Sequence, residues 1–238
     1  MTEITKPTFL YHGTRAGLRD DIIKMGLRPR WGRSGNWKHT VSSNSQAVYL
    51  TTSYPVHFAL CAARRTEDLL ILEIRADALD ASCVAPDEDF LEQVSRKDPK
   101  FANIGKDMKS RTRWFRRRAF SSFAHHWEGS LRGLGTCCYY GNVPAGSITR
   151  CAVVPKKSPF IMASDPTITL MNYRIMGGYY RQLVRHIFGD PADLEDLGMM
   201  GARAEYLSGL SREGIAVTEL SPAARMNPSS LTHERSDQ

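Results

Sequence analysis

The stretch FLYHGT at residues 9–14 decides how this chain reads. An aromatic, strand-like run ends in a histidine, a glycine and a threonine. A turn needs only the glycine, and a buried core has no need of an imidazole there. His12 therefore reads either as a strand-end histidine with a satisfied hydrogen bond or as a functional group at a corner.

The neighbouring segments alternate in character. GLRDDIIKMGL (17–27) has the period of an amphipathic helix, with Leu18, Ile22, Ile23 and Met25 on one side and Gly26 as its stop. Residues 28–46 are loop-like and carry Trp31 and Trp37, open to a ligand. AVYLTT (47–52) reads as a strand, and YPVHFALCAAR (54–64) as a helix with Pro55 in its first turn. DLLILEIRA (68–76) is a continuous apolar run suited to a sheet interior, and the acids of PDEDF (86–90) suit a helix start. Two more strands are expected at Thr136–Tyr140 and Thr149–Val154, joined by Gly-Asn-Val-Pro-Ala-Gly. Beyond Pro155 the spacing turns helical, with Asp190-Pro191 as a cap for a further helix, and residues 221–238 read as a disordered tail.

At 238 residues, 42% hydrophobic and 24% charged, the chain can bury a sizeable core. No run approaches the roughly 18 apolar residues of a membrane span. The opening MTEITKP lacks the marks of a signal peptide, so the expected location is cytoplasmic. The five cysteines are odd in number and form no CxxC pair, which suits reduced, small hydrophobes. Zinc on His125, His126, Cys137 and Cys138 is not expected, because adjacent strand residues point to opposite faces.

The net charge of +7 is unevenly spread. Between Arg96 and Arg118 ten Lys or Arg face only Asp98 and Asp107, with Phe101, Trp114 and Phe115 interleaved. Such a window fits a solvated helix face or a groove for a phosphate backbone with stacked bases. Five arginines between Arg111 and Arg118 favour phosphate, which their planar fork matches. Arg113, Arg116 and Arg117 are the substrate-binding candidates.

YHGT (11–14), VYLT (48–51) and GTCCYYGNVPAGSI (135–148) lie on or beside expected strands, in that order. Together they resemble the ADP-ribosyltransferase superfamily, in its diphtheria-toxin and poly-ADP-ribose-polymerase-like branch with a His-Tyr-Glu triad. The first two motifs also resemble rifamycin ADP-ribosyltransferases, and the first and third resemble RNA 2′-phosphotransferases. Those phosphotransferases carry a histidine where this chain has Tyr49. The resemblance covers roughly residues 9–154 and implies an α+β fold, a split mixed or antiparallel sheet with flanking helices in a domain over residues 1–158; spacing and composition add a helical extension over 159–220 and then the tail. The resemblance also implies NAD as co-substrate, without a metal. His12 would bind the adenine-side ribose, Gly13 would let backbone amides approach the nicotinamide, Thr14 would line the ribose, and Tyr49 would stack on the nicotinamide. The triad's third place falls on Thr136, which brings no charge. Glu128, Asp87, Glu88 and Asp89 are the other candidates, although PDEDF reads first as a helix cap and Glu128 first as a surface residue.

The expected activity is therefore mono-ADP-ribosyl transfer from NAD to RNA or DNA, in the manner of a bacterial toxin or phage-defence enzyme. A toxic enzyme of this kind needs restraint, which makes an antitoxin protein a candidate partner. Transfer to a protein or small molecule is the second reading. A catalytically inactive module that binds RNA or ADP-ribose, favoured by Thr136, is the third.

Overall fold

The computed structural model describes residues 7–30, 43–64, 66–96, 98–105, 107–159, 173–191, 193, 207 and 209–220. Trp31, Trp37 and the expected tail lie outside them. So does most of the stretch after Asp190-Pro191.

Seven strands make one sheet in the order β4-β5-β2-β1-β3-β6-β7, and the pairings between neighbours are all antiparallel. They are β1 (Phe9–Arg15), β2 (Ala47–Thr51), β3 (Leu69–Arg75), β4 (Val84–Pro86), β5 (Thr136–Tyr140), β6 (Ile148–Val154) and β7 (Ala216–Glu219). Among the described residues, seven helices surround them: α1 (Arg19–Met25), α2 (Pro55–Ala62), α3 (Glu88–Ser95), α4 (Met108–Arg116), α5 (Ala119–Phe123), α6 (Trp127–Leu134) and α7 (Tyr173–Phe188). The protein is α+β, antiparallel rather than mixed. Among the described residues no helix is long and apolar enough to cross a membrane.

β3 shows why the sheet is covered on both sides. Leu69 and Ile71 enter one core cluster, with Tyr54, Ala59, Leu183 and Ile187 of α2, α7 and their surroundings. Leu70, Leu72 and Ile74 enter another, with Ile22 and Leu131 of α1 and α6. A period of two over the apolar run Leu69–Leu72 demands two apolar faces. Each fully buried Leu or Ile here contributes about 1.5–3 kcal/mol. The same alternation puts Cys137 in the second cluster and Cys138 in a small one with Ala47 and Ala85.

The seam between β1 and β2 positions the site. β1 pairs with β3 along all seven of its residues, but with β2 only at Tyr11–Thr51. His12 is consequently not at a strand end: it sits in the middle of β1, opposite Leu72. The ladder to β3 carries the strand through Gly13, whose turn propensity the backbone pairing overrides. Gly13 serves packing instead. A Cβ there would lie 1.7 Å from the Pro55 carbonyl oxygen, so the missing side chain admits the first turn of α2.

Two further readings differ from the structure, those of Met25 and of residues 159–220. Met25 is 51% exposed, because α1 ends at Gly26, with φ 77°, and its last turn points to solvent. β5 and β6 form where expected, and the expected connection between them crosses the sheet and bridges Val143 to Leu27. Residues 159–220 are not helical throughout: β7 pairs with β6, and α7 packs into the first core cluster.

That C-terminal segment is also tied down by charge. Tyr11, Glu73 and Arg150 stand in register across β1, β3 and β6. The Arg150 guanidinium donates to Glu73 and, at 2.7 Å, to both carboxylate oxygens of Asp190, just past α7. It also lies 4.7 Å above the Phe188 ring. Strand alternation could not foretell a partner supplied 40 residues later.

Candidate functional site

His12 and Tyr49 meet at the seam, through the Tyr49 backbone. His12 Nδ1 lies 2.9 Å from the Tyr49 carbonyl oxygen. A carbonyl only accepts, so Nδ1 carries the proton and Nε2 is left as an acceptor. Burial holds the imidazole below its usual pKa, opposed by the Tyr49 carbonyl, with Arg30 adding a smaller downward push. His12 is a neutral ring where the two halves of the sheet part.

The Tyr49 side chain belongs to the opposite face, beside Ala47, Ala85 and Cys138. Its hydroxyl lies 2.7 and 2.9 Å from the two carboxylate oxygens of Glu88 and accepts from the Asn44 amide at 2.8 Å. Glu88 is 4% exposed. Burial, then the neighbouring Asp87 charge, pushes its carboxyl up to about 8, with the Tyr49 hydrogen bond pulling the other way. A helix N-terminus favours a carboxylate by about 0.3–1 kcal/mol. Here that influence loses to burial.

The PDEDF stretch thus divides its work. Asp87 is the helix cap, accepting from the Asp89 amide at 3.0 Å. Glu88, at the first helical position, is turned onto Tyr49. Ser130 of α6 fixes the pair to the sheet by accepting from the Asp87 amide at 3.0 Å and donating to the Thr136 carbonyl at 2.7 Å.

Thr136 opens β5 opposite Thr51 and is 1% exposed. Its hydroxyl makes no well-formed hydrogen bond, but it lies near enough to Asp87 to restrain the rise that burial imposes on that carboxyl. Thr14 is buried in β1 opposite Leu70. Glu128 lies in the first turn of α6, half-buried.

The basic window is partly a small core of its own. Arg111 is buried, bonded to the Ser95 hydroxyl at 2.9 Å and the Phe101 carbonyl at 3.0 Å, and it pairs with Glu92. Arg96 binds the same Glu92 carboxylate. Phe101, Trp114, Phe115 and Phe123 pack edge to face, with Phe115 1% exposed. The expected interleaving of free aromatics with cations therefore fails for Phe101 and Phe115, because a helical period turns every third or fourth residue inward. Arg118 covers Trp114 at 4.2 Å. Arg113 and Arg117 remain exposed, and Arg116 is half-buried.

Asn44 connects this helix to the site. Its side-chain amide donates to the Arg116 carbonyl at 3.3 Å and the Tyr140 hydroxyl at 2.9 Å, while its backbone amide holds Tyr49. Asn44 and Arg30 lie in no motif, and Tyr140, although inside GTCCYYGNVPAGSI, has no role assigned to it there. Asn44 sits among other polar residues ahead of Ala47, so nothing local singles it out. Glu88 was legible as a candidate, since three consecutive acids exceed what a cap needs.

No family model matches the chain. No curated protein matches it either. Among solved structures, one named EcPltA is similar to it at a TM-score of 0.35 and 13% identity, over 61% of this chain and 75% of that one. A likeness that distant carries no argument about activity.

Proposed function

We propose that this protein is a mono-ADP-ribosyltransferase that uses NAD and acts on a nucleic acid, with Glu88 rather than Thr136 as its charged residue. The observation that carries the reading is the Tyr49 hydroxyl clamped on the buried Glu88 carboxylate, beside the seam where His12 holds Tyr49 by its carbonyl. The missing glutamate of the resemblance is thereby supplied from α3.

The residues fit a dinucleotide in two respects and misfit in two. His12 Nε2 can accept from a ribose hydroxyl. Glu88 can accept from the hydroxyl beside the reacting carbon. Gly13 does not suit its expected part through its α-carbon, since α2 fills that space. The Tyr49 side chain and Glu88 lie on the face opposite the His12 ring, so one dinucleotide would reach both only through the seam between β1 and β2.

In the proposed reaction the bond between the ribose C1″ and nicotinamide breaks, and nicotinamide leaves with the electron pair. The acceptor's nucleophile bonds to C1″ and gives up its proton. Positive charge builds on the sugar meanwhile, and a preorganised carboxylate opposes it best. Glu88 is largely protonated near neutrality, but a cationic nicotinamide ring alongside favours its ionised form. The Arg113, Arg116 and Arg117 face of α4 would receive the acceptor's phosphates.

The deciding experiment gives the full chain labelled NAD with RNA, single-stranded DNA, duplex DNA or protein extract, beside His12→Ala and Glu88→Gln. Label in nucleic acid that both variants abolish is the expected result. Label in protein alone removes the acceptor half of the proposal. An absence of both label and released nicotinamide removes the whole.

A further inference from the structure

Resting on the nucleic-acid acceptor proposed above, we infer that Phe120 is a stacking platform for a base of a single strand whose phosphates lie along Arg113, Arg116 and Arg117. The large hydrophobic residues exposed among the described residues are Met25, Val94, Met108 and Phe120, so Phe120 is the one aromatic of that set. The rings of the basic window, Phe101, Trp114 and Phe115, pack on each other, whereas Phe120, two residues past its end, is 42% exposed.

One face of Phe120 is already occupied. It stacks on Tyr140 with ring centroids 4.5 Å apart and planes 26° from parallel. The Tyr140 hydroxyl is held by Asn44, which also anchors the Arg116 carbonyl and the Tyr49 hydroxyl. The pair is therefore ordered before any ligand arrives, and a base on the outer face of Phe120 would make a third layer with little further ordering. The same hydrogen bonds place it one residue away from the Tyr49–Glu88 clamp.

Charge selects the occupant. Arg113, Arg116 and Arg117 lie within the last turn of α4 and the residue after it, with Phe120 at the start of the next helix. Several guanidiniums beside an exposed ring suit a polyanion with planar groups. An acidic peptide would use the arginines but not the ring. A duplex covers its base faces, so the platform discriminates for single strands.

The test is fluorescence anisotropy without NAD, using a short labelled single-stranded RNA, the corresponding DNA strand, and that DNA as a duplex. Phe120→Ala should weaken single-strand binding about tenfold or more, and Phe120→Trp should restore it. Arg117→Ala should weaken every strand and flatten the salt dependence. Unchanged single-strand binding by Phe120→Ala overturns the inference. So does a loss equal for the duplex, or an effect that appears in KM for NAD instead. Transfer and binding are read separately. Strand binding lost in Phe120→Ala, with no ADP-ribose ever reaching a strand, leaves the platform and removes the transfer reading. Transfer that survives Phe120→Ala unchanged does the opposite.

Discussion

The Tyr49 hydroxyl touches both carboxylate oxygens of Glu88, at 2.7 and 2.9 Å, although the two residues are 39 positions apart and on different elements. Tyr49 is held on β2 by its pairing with Cys138, and Glu88 at the head of α3 by β4 and Ser130. A buried carboxylate with an aromatic hydroxyl as its clamp makes sense for stabilising positive charge in a dry site, and several predictions test that role.

Glu88→Gln keeps the shape and the Tyr49 contact but removes the charge. It should lower NAD turnover by about 10²–10³-fold, the usual loss for one preorganised electrostatic group. Thr136→Val should cost less than about tenfold on the same scale. Nicotinamide release measures both. A larger loss from Thr136→Val would return the third place to β5.

Tyr49→Phe tests positioning. The hydroxyl lowers the Glu88 pKa against burial, so removing it should raise that pKa above about 8. The rising limb of kcat/KM for NAD against pH should move to higher pH. A uniform drop in rate with no shift of the limb would reduce Tyr49 to packing.

Stability should fall as pH rises. In the folded chain Glu88 keeps its proton up to about 8, whereas an unfolded glutamate loses it near 4.5. The folded state therefore binds more protons between those values, and its advantage is lost as pH climbs through about 8. Asp87, also raised by burial, acts in the same sense. Thermal melts should give a higher Tm near pH 5 than near pH 8. Glu88→Gln should raise the Tm at the alkaline end and flatten the curve.

Gly13→Ala should be severe for a reason unrelated to ligand. The new Cβ would meet the Pro55 carbonyl oxygen and the Ala59 amide, both backbone, so α2 must move off β1. A loss of about 3 kcal/mol is expected in urea denaturation. Wild-type stability would show that α2 can shift freely.

Arg150→Met leaves Glu73, 1% exposed, as a buried charge without its cation, and frees Asp190. The expected loss is about 3–5 kcal/mol. Adding Glu73→Gln should recover part of it, because the stranded charge goes with the carboxylate. No recovery would mean that the anchoring of the segment after α7 is the larger effect.

Much of this was legible in local pattern. The apolar run 68–76 demanded a strand covered on both faces, and Gly26 ended α1 where a left-handed residue was needed. His12 and Tyr49 stood out only through the resemblance that YHGT and VYLT carry together, since each alone reads first as an ordinary strand residue. The Asp87 cap was legible because it satisfies an amide two residues away.

Tertiary structure decided what depends on distant partners. Whether His12 ends a strand or lies within one is set by seven pairings to β3, more than fifty residues on. Whether Gly13 serves a ligand or a helix is set by where α2 lands. Glu88 is set apart from the Asp87 cap and from Asp89 by its longer side chain and by the direction the first turn of α3 gives it. That direction follows from β4 pairing with β5 and from Ser130, not from the run of acids. The basic window likewise fixes charge by composition, but which rings pack inward and which one stays open is a matter of helix rotation against Leu91 and Ala119. Composition and period act over a few residues, whereas a site is made by the contacts that close the chain on itself.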